Sequence, residues 1–418
     1  MSDTAVATVA PVATDGKIVC HVDNVRVHII KSHLAQNHPD WTIERYEAEF
    51  PGEPLMSPLA LELKAKKDAE RAANAAAEKA NSVAKSARAA SIIAEATGMA
   101  APAEIVVKNE FFHEVFELGT APAALNARGK PIPCDVLSGH DDQAQAYLAE
   151  VDRNYIFNID LLKKIIIGFQ LDMPVYLWGM HGTGKTTALK QAAARTRRPF
   201  VRVQHTINMQ ESDVLGQWTV KDGATEFQLG PLPMAMINGW VYCADEYDFA
   251  MPSVTSVYQP VLEGEALLIK DAPPMFRKIE PHPHFRFCAT GNTNGGGDET
   301  GLYQGTLVQN AANYSRFMIT EEVHYMEPKM EEAILVSVTR IDKASAAKIV
   351  KFANDIRKLF ADGKISMTVS PRELISASKI GIAYGGNWAL GLELAFANRI
   401  SRIDRRVVQE YLQRIMGS

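Results

Sequence analysis

Residues 179–186 read GMHGTGKT, a full match to the pattern GxxxxGK[ST]. Residues 175–178 before them are apolar and predict a buried strand, and residues 186–194 after them predict a helix. Glycines at such a strand-to-helix turn let backbone N–H groups face a polyphosphate, and the helix N-terminus adds partial positive charge. The motif therefore predicts an α/β fold with a phosphate-binding loop. The alternative is a glycine-rich turn that binds no ligand.

The positions of this loop have separate expected roles. Lys185 is expected to reach the β- and γ-phosphates of ATP, and the Thr186 hydroxyl is expected to bind Mg²⁺. The other positions are expected to surround the phosphates. The predicted nucleotide contacts are Gly179, His181, Gly182, Thr183, Gly184, Lys185, Thr186 and Thr187.

A second apolar run ends in two acids. Residues 240–244 read WVYCA and predict a buried strand, which Asp245 and Glu246 follow. We expect Asp245 to hold Mg²⁺ through water, and Glu246 to orient and polarise the attacking water. The alternative is a solvated strand end, which often carries acids.

The pattern around these motifs predicts a parallel sheet covered by helices. A helix is predicted over 161–169, and strands are predicted over 200–203, 239–244 and 286–290. Residues 216–228 predict a β-hairpin. Strands that alternate with helices indicate a three-layer α/β/α fold.

Composition divides the rest of the chain into further segments. Residues 58–100 are rich in Ala, Lys and Glu, which predicts a long helix or, alternatively, a disordered charged linker. The expected domains are a disordered tail (1–16), a small finger-like or helical α-rich domain (17–57), the long Ala-rich helix or linker (58–100), an irregular linker (101–150), an α/β core (151–327) and a helical lid (328–418). The lid helices are predicted over 328–340, 343–361, 371–384, 388–399 and 404–416.

Charge and hydropathy exclude some classes of protein. The formal net charge of the 418 residues is −5, so no global basic field favours nucleic acid. No run approaches the ~18 apolar residues of a membrane span, and the first residues lack the pattern of a signal peptide. The four cysteines form no CxxC pair, which fits free thiols in a reducing compartment. We therefore expect a cytoplasmic protein without a membrane partner.

The order of the motifs resembles that of an AAA+ ATPase. The resemblance implies that Asn292, after the strand 286–290, hydrogen-bonds the attacking water or the γ-phosphate. It implies that Arg316 reaches the ATP of a neighbouring subunit, and that Arg372 swings onto the γ-phosphate and reports hydrolysis to the lid. The alternatives are a turn residue, a surface arginine and a helix-start ion pair, respectively. A homo-oligomeric ring, most simply a hexamer, is also implied.

Five segments carry a closer resemblance: GMHGTGKTT (179–187), DEYD (245–248), VLE (261–263), PHPHFR (281–286) and GLYQGT (301–306). They resemble the CobS-like ATPases of the MoxR branch, which serve aerobic cobaltochelatases. This resemblance implies an ATP-driven ring that acts on a client or on a partner with a von Willebrand A-type domain, with residues 216–228 pointed at the partner or pore. The chain departs from the family at residues 249–251, where an Arg is common, and at 313–317, where Asp-Arg-Trp is usual. Because these positions face partners, they leave cobalt chelation an open question.

The N-terminal unit carries a possible set of metal ligands. Cys20, Asp23, His33 and His38 have the spacing of a small Cys2His2 finger in which Asp replaces the second Cys. Residues 41–46 weakly resemble the segment after the finger in Ros/MucR-type DNA-binding regulators. Zn²⁺ accepts all these ligand types, and so short a unit needs a staple. The alternative is a helical hairpin whose histidines are surface or core residues.

These inferences favour a ring-forming ATPase that couples ATP hydrolysis to the remodelling of a protein partner, with metal-chelatase work as one form of the task. One alternative is a nucleic-acid-associated motor, which the finger-like N-terminus favours and the acidic balance opposes. Another alternative is a nucleotide-gated scaffold with little turnover, which the intact Lys185, Asp245 and Glu246 oppose.

Overall fold

The computed structural model describes residues 16–71, 73, 74, 77, 105–119, 121–221, 223–298, 301–303 and 305–417. The chain forms two compact units, Met1–Ala84 and Lys85–Ser418, and each is considered by itself. Residues 1–15 of the predicted tail, and residues 78–100 of the predicted long helix, lie outside the described residues.

The described residues of the first unit form a two-stranded antiparallel sheet and three helices. The described part of its core is small, with Cys20, Ile30, Leu34 and Tyr46 buried together. Helix α3 agrees with the helix predicted from composition. The elements are β1 (Ile18–Val19), β2 (Arg26–Val27), α1 (Ile30–Asn37), α2 (Ile43–Glu49) and α3 (58–71).

The second unit is built on a five-stranded parallel sheet. Its strands are β5 (Val175–Trp178), β6 (Phe200–Gln204), β9 (Val241–Asp245), β12 (Arg286–Gly291) and β13 (Ile319–Glu322). They lie in the order β13-β5-β12-β9-β6, and every adjacent pair is parallel. The strands β9 and β12 are buried throughout, which fits the apolar runs 241–244 and 287–289 within them.

Helices cover both faces of this sheet, as a three-layer α/β fold requires. Alternate residues of β9 face opposite layers: Val241 and Cys243 pack with α6 (Ile159–Leu171) and α7 (Lys185–Arg195). Tyr242 and Ala244 pack on the other face, together with α9 (Pro231–Asn238). The carboxyl ends of the strands are thereby fixed at one edge.

Two antiparallel hairpins interrupt the α/β pattern. After α8 (Glu211–Leu215), the predicted hairpin is confirmed as β7 (Gly216–Lys221) paired with β8 (Ala224–Leu229). A second hairpin pairs β10 (Leu267–Leu268) with β11 (Lys278–Ile279). The Trp218 indole N–H donates to the Asp271 carbonyl at 2.8 Å, which joins the two hairpins. Short helices α10 (Pro252–Ser256) and α11 (Gln259–Leu262) precede the second hairpin, and α12 (Ala311–Tyr314) precedes β13.

The prediction of an irregular linker over 101–150 is wrong for the described part of that segment. Strand β3 (Val106–Phe111) pairs antiparallel with β4 (Pro133–Ser138), and Phe112 and Phe116 are buried in the same core as α6. The prolines suggested a loop, but Pro133 occupies the first position of its strand, where no ladder hydrogen bond is lost. The helices of this segment are α4 (Phe112–Val115) and α5 (Asp142–Tyr147).

The C-terminal part of the second unit is helical and has its own core. Arg357 makes a bidentate ion pair with Glu331, with both nitrogen–oxygen distances at 2.7 Å, and this joins the first two helices. No helix among the described residues is long and apolar enough to cross a membrane. The helices agree with those predicted: α13 (Pro328–Thr339), α14 (Lys343–Ala361), α15 (Pro371–Ala383), α16 (Trp388–Ala395) and α17 (Arg402–Met416).

Candidate nucleotide site

The predicted phosphate loop connects β5 to α7 at the carboxyl edge of the sheet. Gly182 and Gly184 have φ of +74° and +89°, a region that favours glycine. A Cβ on Gly182 would lie 2.4 Å from the Cβ of Ser370, so the loop is closely covered by the start of α15. The loop lines a cavity of about 640 Å³.

Lys185 lies within this loop and is almost fully buried. Its ammonium donates to the carbonyl oxygens of Gly179 at 2.6 Å and Met180 at 2.9 Å. Burial lowers the pKa of Lys185 to about 8, although the carboxylates of Asp248 and Asp245 oppose that change. A cation that is held only by neutral carbonyls in a buried loop fits an incoming polyphosphate.

Asp245 is the centre of a hydrogen-bond network at the end of β9. Its Oδ1 accepts a hydrogen bond of 2.7 Å from the Thr186 hydroxyl and another from the Thr290 hydroxyl, and its Oδ2 accepts one of 2.6 Å from Arg202 Nε. Burial raises the pKa of Asp245, but these hydrogen bonds outweigh it and leave the pKa below its ordinary value. An ionised carboxylate beside a threonine hydroxyl fits Mg²⁺, which prefers oxygen ligands.

Glu246 follows Asp245 and lines the same cavity. Its backbone φ is +55°, an uncommon conformation for a residue with a side chain, which points to a functional constraint. The Gln204 side chain donates to Glu246 Oε2 at 3.2 Å, and the Glu246 N–H donates to Thr290 Oγ1 at 3.3 Å. Glu246 and the phosphate loop thus line one cavity, and the role of the carboxylate toward water remains a prediction.

Asn292 lies at the end of β12 and also lines the cavity. The buried Asp248 fixes this strand end, because its Oδ2 accepts the N–H groups of Asn292 and Thr293, both at 2.9 Å. Burial raises the pKa of Asp248. The location of Asn292 agrees with the sequence prediction, and its role toward water or phosphate remains a prediction.

The two predicted arginines lie in different places. Arg372 is in the first turn of α15 and lines the cavity. The ion pair at this helix start is made instead by Glu373 with Arg399. Arg316 is not among the residues that line the cavity; its Nε donates to Glu263 Oε1 at 2.7 Å. One chain therefore brings together every predicted catalytic side chain except Arg316.

The sequence analysis missed several residues of the site. Arg202 and Gln204 lie two residues apart on β6, so both face the same side of the sheet and line the cavity. Two polar residues at this spacing near the end of a strand were the sequence signal that could have identified them. The Tyr303 hydroxyl accepts the His181 N–H at 2.8 Å, and nothing in the local sequence indicated this contact. Among the predicted loop residues, Thr187 lines the cavity, whereas Thr183 donates to the Met180 carbonyl at 2.9 Å and closes the loop.

Comparison with known proteins agrees with this geometry. Residues 174–317 match the AAA domain of the dynein-related subfamily, and residues 331–418 match the CbbQ/NirQ/NorQ C-terminal domain. The aerobic cobaltochelatase subunit CobS of Sinorhizobium sp. is 35% identical over 286 residues, which cover 66% of this chain and 85% of CobS. NorQ of Paracoccus denitrificans is 29% identical over 45% of this chain and 66% of NorQ. CbbQ of Hydrogenophilus thermoluteolus is 24% identical over 57% of this chain and 85% of CbbQ.

These matches cover the phosphate loop, the acidic strand end and the helical lid that together form the site. The sheet order, the loop and its acidic partners are those of a nucleotide hydrolase. The chain therefore belongs to the CobS-like AAA+ ATPases of the MoxR branch.

Proposed function

We propose that this ATPase works as a ring, most simply a hexamer, in which ATP hydrolysis drives the remodelling of a protein partner. The position of Arg316 carries the proposal: this arginine is held by Glu263 outside the cavity that contains the other catalytic candidates. A head-to-tail contact between copies would place it at a neighbour's site, and such heterologous contacts close into rings.

The roles of the residues follow from their charges and positions. Lys185 neutralises phosphate charge, Glu246 orients the attacking water, and Asn292 donates to that water or to the γ-phosphate. Arg316 of the neighbour stabilises charge that develops on the transferred group. Mg²⁺, held by Thr186 and by Asp245 through water, would supply further neutralisation of the phosphates.

We further propose that β7–β8 meets the partner. Trp218 and Val220 on this hairpin are 49% and 77% exposed, and because they lie two residues apart on one strand they offer apolar surface on the same side of it. Because CobS is a cobaltochelatase subunit, a metal-chelatase partner with a von Willebrand A-type domain is one candidate. The free, buried cysteines support a cytoplasmic location.

Mixing two inactive variants tests the shared site. Lys185→Ala cannot hold ATP but retains Arg316, whereas Arg316→Ala retains the ATP site but lacks the arginine. Each variant alone should lose turnover by on the order of 100-fold. An equal mixture should regain about a quarter of wild-type turnover, because one interface in four then combines both intact halves in a random ring.

Arg128→Ala is the matched control, since this exposed arginine lies outside the described cavity and should leave turnover unchanged. Wild-type turnover in Arg316→Ala, or a mixture no more active than its components, would contradict the shared site. Nucleotide binding by the wild type without turnover would instead support the scaffold, and salt-dependent stimulation by DNA would support the nucleic-acid motor.

A further inference from the structure

Four potential metal ligands lie close together in the first unit, two in a turn and two at a helix. Cys20 and Asp23 lie in the turn between β1 and β2, His33 lies on α1, and His38 follows that helix. Ligand atoms of Cys20, Asp23 and His33 all lie within 4.8 Å of one another. Nε2 of His33 and Nε2 of His38 are each 2.8 Å from the same carboxylate oxygen, Asp23 Oδ2.

Backbone hydrogen bonds fix the turn that carries Cys20 and Asp23. The Cys20 N–H donates to the Val25 carbonyl, and the Asn24 N–H donates to the Cys20 carbonyl, both at 2.8 Å. Asp23 uses its other oxygen, Oδ1, to accept the Val25 N–H at 3.0 Å. Oδ2 is therefore left to face the histidines, which is how a carboxylate that binds a metal through one oxygen is oriented.

The surroundings of the sulfur and of one imidazole also suit a metal. The backbone N–H groups of Val22 and Asp23 hydrogen-bond the Cys20 sulfur, a contact that supports a thiolate ligand. The Asn37 side chain contacts His33 Nδ1 at 3.0 Å, so the ring is held with Nε2 toward the cluster. A partner on the second ring nitrogen is the usual support for a histidine that ligates a metal.

The hydrophobic core of this unit is small, so a metal ion that links its elements would add to its stability. Its described buried hydrophobic side chains are few: Cys20, Ile30, Leu34 and Tyr46 pack together, and Ala60 is also buried. A domain with so little buried apolar surface usually depends on a metal or a disulfide. Cys20 is a free thiol, so a disulfide does not serve here.

We propose that Cys20, Asp23, His33 and His38 bind one Zn²⁺ ion and that this ion ties the β1–β2 turn to α1. One sulfur, two imidazole nitrogens and one carboxylate oxygen make a closed four-ligand set, which is the pattern of a structural rather than a catalytic zinc site. The proposal does not depend on ATP hydrolysis or on ring formation.

The first test is the zinc content of the full-length protein, measured by mass spectrometry after incubation with ZnCl₂ and dialysis. The wild type should retain about one zinc per chain, and Cys20→Ser and His33→Ala should lose it. His28→Ala is the control: this histidine lies in the same unit but contacts Ser57 Oγ, at 2.8 Å, and should leave the zinc content unchanged.

Asp23→Cys keeps the proposal testable if the other variants fail to fold. A thiolate in place of the carboxylate should retain the ion and hold it at least as tightly against a chelator. In the cobalt-substituted protein, the charge-transfer band from sulfur to metal should strengthen in Asp23→Cys and vanish in Cys20→Ser.

Two results would overturn the zinc site: a wild-type protein that binds no zinc, or an unchanged zinc content in Cys20→Ser. ATP turnover, measured on the same samples, reports separately on the proposed function. Normal ATP turnover in a protein that binds no zinc would contradict only the proposed zinc site. Bound zinc in a protein without ATP turnover would support the zinc site and contradict only the proposed function.

Discussion

At the residue scale, Asp245 and Glu246 are adjacent in sequence but have different surroundings. Asp245 accepts hydrogen bonds from three elements, which favour its ionised form and fix its orientation. Glu246 receives a side-chain hydrogen bond only from Gln204 among the contacts of the described residues, so its carboxylate remains available to a water molecule. The left-handed backbone at Glu246 separates the directions of the two side chains.

Glu246→Gln should therefore uncouple binding from hydrolysis. We expect ATP affinity to change by less than about twofold, because the loop and Asp245 are intact, and turnover to fall by on the order of 100-fold, because an amide is a poor base. Equilibrium binding of a fluorescent nucleotide and steady-state phosphate release measure the two effects. Glu265→Gln, an exposed acid outside the cavity, is the control; wild-type turnover in Glu246→Gln would remove the assignment.

At the element scale, the start of α15 lies directly on the phosphate loop. Ser370 and Glu373 form a capping box that fixes this first turn, and Arg372 within it lines the cavity. The close approach of Ser370 to Gly182 means that the loop and the lid cannot move independently at this point. A ligand in the cavity would therefore affect the lid in two ways, through the packing of Ser370 on Gly182 and through the charge of Arg372.

Gly182→Ala should weaken nucleotide binding through both backbone strain and collision with the lid. A residue other than glycine at this φ, with the collision, should cost about 1–3 kcal/mol, which is about fivefold to 150-fold in ATP affinity. Adding Ser370→Gly removes the colliding Cβ at the expense of only a few tenths of a kcal/mol in capping. The double variant should recover part of the affinity; no recovery would show that loop strain alone is responsible.

At the scale of the whole molecule, the chain has two units with different sources of stability. The second unit buries two apolar layers around its sheet and a further core in the lid. The first unit has a small hydrophobic core and a cluster of potential metal ligands. Among the described residues, the arginines that line the cavity of the second unit are Arg202, which is paired to Asp245, and Arg372 of the lid.

Turnover per subunit should consequently depend on protein concentration. If copies share their sites, activity should rise at least about tenfold from dilute protein to a plateau at which assembly is complete. Phosphate release and light scattering on the same dilution series would measure turnover and mass together. Flat turnover across a range in which the mass changes would indicate a self-contained site and contradict the ring.

The sequence alone determined the local features, because they depend on short-range chemistry. Residue spacing and hydrophobic periodicity predicted the loop 179–186, the acids at the end of β9 and the lid helices. Only the tertiary structure decided which distant residues are in contact. Arg202 pairs with Asp245, Asp248 accepts the Asn292 N–H, and strands β3 and β4 pair within 101–150. Such contacts depend on sheet order and packing between distant segments, which no local pattern encodes.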